Sequence, residues 1–213
     1  MDALFAQKKI QRNVFGLSFA PITSPGIVNG RLSLGGTDPK KYTGKLNWVG
    51  IKNKQPWNDY WGFEQTIKYG KQTIQPSSVG IVDSGTTLIY ITPGGFKAYS
   101  ESIPGSKIDK QNGLLEIPKE SFDGMKFLSF VINGIPYELT PNAQIWPRTF
   151  NHILGGKADV YYSVVSALND RQLTEGCNFI LGYVFLERFY TAYDASTSRI
   201  GFANSPSTFV DVN

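Results

Sequence analysis

The chain has 213 residues, of which 41% are hydrophobic and 14% aromatic, so it carries enough apolar side chain to bury a substantial core, which excludes intrinsic disorder. Glycine, proline and the aromatic residues together outweigh the helix formers Ala, Leu, Glu and Lys, a balance that favours strands joined by tight turns. The net charge of +4 comes from scattered lysines and arginines without a long run of one sign, which favours a solvated basic surface over nucleic-acid binding.

Cysteine and histidine are too scarce for several common kinds of site. Cys177 is the only cysteine and His152 the only histidine, so an internal disulfide is excluded, and a zinc site or a Cys–His nucleophile pair is disfavoured. We expect Cys177 to be a small buried thiol rather than a reactive one. No run approaches about 18 consecutive apolar residues, so no membrane-spanning helix is expected. The first 16 residues also lack the pattern of a secretory signal peptide.

Alternating apolar residues and turn signals predict strands through the first half of the chain. Phe15, Leu17 and Phe19 fall on one face of a strand over 13–20 because their spacing is two. The pair Asn29-Gly30 predicts a tight hairpin turn, because both residues tolerate positive φ. Further strands are predicted at 45–51, 60–68, 79–83 and 88–91.

The second half combines a short helix with hairpins. Thr92 as N-cap and Pro93 at the first helical position predict a helix over 92–103. Residues 127–139 are predicted to form a strand, an Asn-Gly turn and a second strand, and residues 176–203 an apolar strand, a glycine-bounded helical turn and a hairpin. No linker tract or internal repeat divides the chain, so we predict a mainly β fold with mostly antiparallel sheets and a few short helices.

The segment IVDSGTTLIYIT places one carboxylate, Asp83, inside an apolar stretch rich in hydroxyl groups. The preceding strand is apolar on both faces, so partial burial should disfavour the charged carboxylate. Ser84, Thr86 and Thr87 supply hydroxyl groups nearby, and Gly85 lets backbone N–H groups approach, which favours the charged form. An ordinary Asp-Ser-Gly turn is the alternative, but such a motif arises by chance in only about two of every hundred chains of this length.

This segment, with NFILGYVFLERFYTAYDASTSRIGFA about a hundred residues later, resembles the C-terminal lobe of the pepsin-like aspartic proteases, family A1. In that family an Asp-Thr/Ser-Gly loop interlocks with a hydrophobic-hydrophobic-Gly segment, here Ile180-Leu181-Gly182. GRLSLGGTDPKKYTGKLNWVGI and DYWGFEQTIKYG resemble the segments that enter the lobe. NAQIWPR and FLERFY are most similar to the basidiomycete fungal branch, the polyporopepsin type.

The resemblance covers nearly all of residues 4–203. It implies a pepsin-like acid protease lobe that occupies residues 1–213, with 1–20 as an inter-lobe segment and 21–213 as the lobe proper. It also implies secretion from the cell.

The resemblance further implies roles for individual residues. Asp83 would be one of two catalytic aspartates, Ser84 would reach the backbone of a partner loop, and Gly85 would allow close approach to the carboxylate. Thr86 would bond the outer carboxylate oxygen, and Thr87 the substrate backbone. The implied pocket walls on the primed side of the cleft, each with core packing as its alternative, are Tyr60, Ile81 and Ile180.

Only half of the family's active site is present, because this chain holds one such loop and the family uses two that face each other across a cleft. Two carboxylates about 3 Å apart share one proton, so one activates a water while the other donates to the peptide carbonyl oxygen. The resemblance therefore implies half of an acid-range endopeptidase that is inactive alone and needs no metal or organic cofactor. Its expected partners are an N-terminal lobe with the second Asp-Thr/Ser-Gly loop and peptide or protein substrates, with neither nucleic acid nor membrane.

Two other functions are compatible with the residues. One is a stand-alone β module that binds protein or peptide without catalysis, although a polar, cleft-facing loop would then have no purpose. The other is a symmetric homodimer that supplies one aspartate per chain, as in retroviral proteases. Those chains are much shorter, and a C-terminal lobe carries no flap of its own, so this alternative is the weakest.

Overall fold

The computed structural model describes residues 1–55 and 57–212, which form strands linked by short helices. The helices are α1 (Asp2–Ala6), α2 (Pro93–Glu101), α3 (Lys119–Phe122), α4 (Asp170–Thr174) and α5 (Tyr183–Leu186), with 3-10 helices at Pro39–Lys41, Trp57–Asp59, Asn142–Gln144 and Arg148–Leu154. The strands are β1 (Val14–Ser18), β2 (Arg31–Leu34), β3 (Thr43–Gly50), β4 (Gly62–Tyr69), β5 (Gln72–Val82), β6 (Ile89–Ile91), β7 (Lys107–Ile108), β8 (Leu115–Ile117), β9 (Leu128–Ile132), β10 (Ile135–Leu139), β11 (Tyr161–Tyr162), β12 (Val165–Ala167), β13 (Phe179–Leu181), β14 (Phe189–Asp194) and β15 (Arg199–Asn204).

The strands form two larger sheets and a small one. One large sheet is antiparallel throughout, with the order β2-β1-β14-β15-β3. The other has the order β10-β9-β4-β5-β13-β6-β12 and is antiparallel except where β13 pairs with β5 and β12 with β6. The small sheet has the order β11-β8-β7. The fold is therefore mainly β and mostly antiparallel, as predicted.

Aromatic side chains join the two larger sheets into one core. Phe63 of β4 lies 5.0 Å from Phe202 of β15 and 5.2 Å from Phe179 of β13, measured between ring centroids. Each of these rings is fully buried, and burial of a phenylalanine side chain stabilises a fold by about 1.5–3 kcal/mol. The strand from the predicted inter-lobe segment, β1, belongs to the same structure, because it pairs with β14.

Most predicted elements are confirmed where turn and cap chemistry is local. The helix begins with the Thr92 hydroxyl accepting a hydrogen bond from the Gly95 N–H, the N-cap geometry expected from the sequence. Asn133 and Gly134 both have positive φ, 47° and 78°, and join β9 to β10 in a tight hairpin. The predicted final hairpin forms between β14 and β15.

The prediction of a tight turn at Asn29-Gly30 is wrong. Strands β1 and β2 do pair, but Ser18 lies opposite Arg31, so a long loop connects them and neither residue has positive φ. The Asn29 amide donates to the Ala20 carbonyl and accepts from the Tyr183 hydroxyl. The position of Asn29 is therefore fixed by these side-chain hydrogen bonds rather than by a two-residue turn.

The segments that the sequence left unassigned contain the shortest elements. The small sheet β11-β8-β7, the helices α3 and α4, and strand β12 all fall there. Elements of two to five residues carry too few side chains to show a clear periodicity. Across residues 1–55 and 57–212, no helix has the length and apolar character to span a membrane.

Candidate active site

The candidate site lies on the loop between β5 and β6, which is held open by a third strand. β13 runs between them, with Leu181 opposite Val82 in a parallel pair and opposite Ile89 in an antiparallel pair. Asp83 follows β5 directly, and its backbone N–H donates to the Leu181 carbonyl at 3.0 Å. The loop is thus anchored at its first residue to a buried central strand.

The Asp83 carboxylate is oriented by donors from its own loop. The Gly85 N–H donates to Oδ1 at 2.9 Å, and the Thr86 hydroxyl donates to Oδ2 at 2.7 Å. A Cβ atom at position 85 would lie 3.3 Å from Oδ1, so glycine permits the close approach that was predicted. Ser84 is exposed and Asp83 is partly exposed. Each carboxylate oxygen therefore has a fixed donor, while the group still reaches the surface and can meet another acid or a water.

A cluster of packed aromatic side chains lies beside Asp83. Tyr193 of β14 is buried, stacks on Phe15 at 4.6 Å between centroids, and meets Trp61 edge-on at 5.1 Å. Burial raises the pKa of the Tyr193 hydroxyl, with a smaller contribution from the negative charge of Asp83. The negative charge of Asp83 therefore disfavours ionisation of the buried Tyr193 hydroxyl. Sequence reasoning missed Tyr193 because 110 positions separate it from Asp83 in the chain.

Gly182 clamps the loop against α5. The Thr86 carbonyl accepts from the Tyr183 N–H at 2.7 Å, and the Thr87 carbonyl accepts from the Val184 N–H at 3.1 Å. A Cβ atom at Gly182 would lie 2.2 Å from the Leu88 carbonyl oxygen, so no larger residue fits without moving backbone. The predicted pairing of the aspartate loop with Ile180-Leu181-Gly182 is therefore present in the structure.

The three predicted pocket residues come together on one side of this loop. Tyr60, Ile81 and Ile180 line a pocket of about 360 Å³ whose other walls include Trp57 and Cys177. Tyr60 is 54% exposed, whereas Ile180 is buried and also packs in a small apolar cluster. Ile180 thus lines the pocket and belongs to the core at once, so the two alternatives for it are compatible.

Cys177 lies in the same pocket as a buried thiol. It is 8% exposed, its Sγ–H donates to the Phe179 carbonyl at 3.2 Å, and burial raises its pKa to about 11. A thiol with this pKa carries little thiolate at neutral pH. The prediction of a buried thiol is confirmed, and its low reactivity stays a prediction.

Thr87 lies apart from that group. It is exposed and lines a second pocket of about 300 Å³ on the other side of the loop, together with Trp146, Phe150 and Glu187. Sequence reasoning missed Trp57, Trp146 and Glu187 as pocket residues, although the segments NAQIWPR and FLERFY, which contain Trp146 and Glu187, were singled out for their resemblance. Within the described ranges, no cluster of three or more His, Cys, Asp or Glu side chains could hold a metal ion.

Comparisons with known proteins match this architecture. The family model for eukaryotic aspartyl protease matches residues 1–205. Polyporopepsin of Irpex lacteus is 42% identical over 213 residues, covering 100% of this chain and 62% of the relative, and cathepsin D of Clupea harengus is 31% identical over 210 residues, covering 96% and 49%. The crystal structure of the aspartic proteinase from Irpex lacteus superposes with a TM-score of 0.93 at 41% identity, again covering 100% of this chain and 62% of the other. The chain thus spans between about half and two thirds of the length of these relatives, and it belongs to the eukaryotic aspartyl protease family.

Proposed function

We propose that this chain is the C-terminal lobe of a two-lobed endopeptidase that hydrolyses peptide bonds in the acid range, with Asp83 as one of its two catalytic aspartates. The observation that carries the proposal is the Asp83 carboxylate, fixed by the Gly85 N–H and the Thr86 hydroxyl yet open to the surface. Family membership supports the same reaction.

The chemistry requires a second carboxylate from outside this chain. Two carboxylates at close range share a proton, because both cannot be charged at once, and the pair then supplies a base for water and an acid for the carbonyl oxygen. No such neighbour faces Asp83 within residues 1–55 and 57–212, where its partners are the donors of its own loop. The relatives extend well beyond the length that this chain spans, so we assign the second Asp-Thr/Ser-Gly loop to an N-terminal lobe.

The surface area also supports a partner lobe. The accessible surface of the described chain is 10,823 Å², whereas a monomer of 23.6 kDa has about 9,800 Å² by the usual scaling. The excess of about 1,000 Å² is close to the share that each partner buries in a standard interface, about 800 Å². An uncovered lobe face is consistent with that excess.

We assign substrate contacts to both sides of the loop. An extended peptide would be held mainly through main-chain hydrogen bonds, including one to Thr87, with alternate side chains in pockets. The aromatic and aliphatic walls formed by Tyr60, Ile81 and Ile180 favour apolar side chains on the primed side, and the same pocket is also lined by the polar side chains of Arg171, Gln172 and Glu175.

Lobe boundaries and location complete the proposal. Residues 1–20 serve as the inter-lobe segment and 21–213 as the lobe proper. Ser84, which is exposed beside Asp83, reaches the backbone of the partner loop. We place the enzyme outside the cell on family membership alone.

The test combines this chain with the part of Irpex lacteus polyporopepsin that it does not match, produced as a second chain. The mixture should hydrolyse a peptide substrate at acid pH, and each chain alone should not. Asp83→Asn should lower kcat by at least about 100-fold while circular dichroism stays unchanged. Asp123→Asn, at an exposed position, is the matched control and should retain activity. Wild-type turnover by the Asp83→Asn complex would refute the proposal.

A further inference from the structure

The pocket beside Thr87 differs from the other pockets in its chemistry. Its walls are mostly apolar and come from the loop before β2, the 3-10 helix at Arg148–Leu154 and α5; they include Ile22, Pro25, Trp146, Phe150 and Ile153. One carboxylate, that of Glu187, lies among these groups. An acid in an apolar pocket is costly unless a partner compensates its charge.

The charge partner of Glu187 within residues 1–55 and 57–212 is Arg188, and no hydrogen bond joins the two side chains. The Glu187 side chain is 12% exposed, and no described donor forms a hydrogen bond with its carboxylate. The nearest cation is Arg188, whose Nε lies 3.8 Å from Oε1. Nη1 of Arg188 donates to the carbonyls of Val210 and Ser207 at 2.6 and 3.4 Å, whereas its buried Nε forms no hydrogen bond among the described residues. Burial outweighs Arg188 and raises the pKa of Glu187 to about 7.

The pocket wall is built as a fixed surface. The Tyr183 hydroxyl donates to Asn29 Oδ1 at 3.1 Å, and the Tyr183 ring meets Phe19 edge-on at 5.0 Å. These contacts tie the loop before β2 to α5. The wall also reaches the surface, since Ile153 is 62% exposed. Exposed apolar surface of this kind is typical of a protein-binding site.

The pocket is also continuous with the aspartate loop. Thr87 lines it, and α5 is clamped to that loop by the hydrogen bond from the Val184 N–H to the Thr87 carbonyl. A protein segment that covers this pocket therefore lies next to Asp83. Because the chain spans 62% of polyporopepsin, the remaining length is available to supply such a segment.

We propose that this pocket receives a segment of the second lobe in which a lysine or arginine side chain, flanked by apolar residues, pairs with Glu187. The proposal rests on the proposed function, because it takes the second lobe as the occupant. The incoming cation gives the buried carboxylate a hydrogen-bonded partner, which Arg188 at 3.8 Å does not provide, and the apolar neighbours cover Ile153 and Trp146. The pair fixes the position of the lobes, since an ion pair placed in an apolar contact tolerates little displacement.

The experiment measures affinity between this chain and the unmatched part of Irpex lacteus polyporopepsin by titration calorimetry. Glu187→Gln keeps the shape of the side chain and removes its charge, and it should weaken binding by about thirtyfold or more. Glu187→Lys should abolish detectable binding. Glu101→Gln is the matched control, since that side chain is exposed on α2, and it should bind as the wild type does. Circular dichroism checks that each variant is folded. If Glu187→Lys does not fold, the affinity of Glu187→Gln alone tests the proposal.

The outcomes separate this inference from the proposed function. A tight wild-type complex without peptidase activity, weakened by Glu187→Gln, supports the pocket and refutes the enzyme. Unchanged affinity of Glu187→Gln in an active complex overturns the pocket and leaves the enzyme intact. The pocket is also overturned if folded wild-type chains do not associate, or if Glu187→Gln leaves affinity intact but removes cleavage of peptides with basic residues, which would make the pocket a substrate subsite.

Discussion

Gly182 offers the sharpest test of how the aspartate loop is held. In Gly182→Ala the new Cβ atom would lie 2.2 Å from the Leu88 carbonyl oxygen and 2.5 Å from that of Thr86. Both contacts are to backbone, so no side chain can rotate away to relieve them. Gly182 has φ −82° and ψ −165°, a conformation open to alanine, so the expected cost is steric and not conformational.

The magnitude follows from the contacts that must change. Overpacking by one methyl group costs about 1–3 kcal/mol in a tightly packed site. Moving the loop also strains the hydrogen bonds from Tyr183 and Val184 to the carbonyls of Thr86 and Thr87, each with a net value of about 1 kcal/mol. We therefore expect Gly182→Ala to lower the free energy of unfolding by about 3–5 kcal/mol. For a chain of this size the melting temperature should fall by about 10 °C.

Urea unfolding followed by tryptophan fluorescence measures this change, with Gly94→Ala as the control. Gly94 lies in the first turn of α2, and a Cβ atom there would meet nothing within 4 Å. Alanine is the better helix former, so Gly94→Ala should raise stability by up to about 1 kcal/mol. The same substitution should thus have opposite signs at the two sites. Equal effects, or a stable Gly182→Ala variant, would refute the steric clamp.

Two ionisable groups give further predictions. Cys177, with its pKa raised to about 11, should react with a disulfide reagent at pH 8 far more slowly in the native chain than in urea, and fast native labelling would contradict its burial. The pKa of Glu187 rises from 4.5 to about 7 on folding, so the folded state holds an extra proton between these values, and stability is full below pH 4.5 and falls as pH rises through 7. Glu187→Gln should remove up to about 3 kcal/mol of that fall in urea unfolding between pH 4 and 8; parallel curves for variant and wild type would contradict it.

Turn signals in the sequence predict structure where the neighbouring strands are close in the chain. Asn133-Gly134 lies between strands that follow each other directly, and both residues take the positive φ that the turn requires. Asn29-Gly30 carries the same signal, yet the Asn29 side-chain amide forms hydrogen bonds with the Ala20 carbonyl and the Tyr183 hydroxyl. A residue larger than glycine at position 30 would clash with Phe19, because its Cβ atom would lie 2.9 Å from the Phe19 ring. The conformation of the same dipeptide is therefore set by the local turn at 133–134 and by tertiary packing at 29–30.

In the candidate site, too, contacts between residues close in sequence could be predicted and contacts between distant residues could not. The donors to Asp83 come from positions 85 and 86, so their arrangement follows from spacing within one loop and could be predicted. Tyr193 and Glu187 lie about a hundred residues further on. β14, which carries Tyr193, is buried at every position, so it lacks the alternation that would mark one face. Their positions depend on which strands pair, and a periodicity in the sequence does not contain that information.

Asp83 and Glu187 are both held in position by contacts within this chain. Asp83 has its two orienting donors and its anchor to β13 from within the chain, so its geometry needs nothing more in order to form. Under the proposed function it lacks only a second acid, which would change its protonation and not its position. Glu187 is likewise fixed by α5, and its charge partner Arg188 lies 3.8 Å away, beyond hydrogen-bond distance. We therefore propose that the lobe folds with its half of the site in place, and that association supplies the shared proton and a hydrogen-bonded partner for Glu187. Because the same step covers Glu187 and completes Asp83, lobe docking and catalytic competence should be gained together.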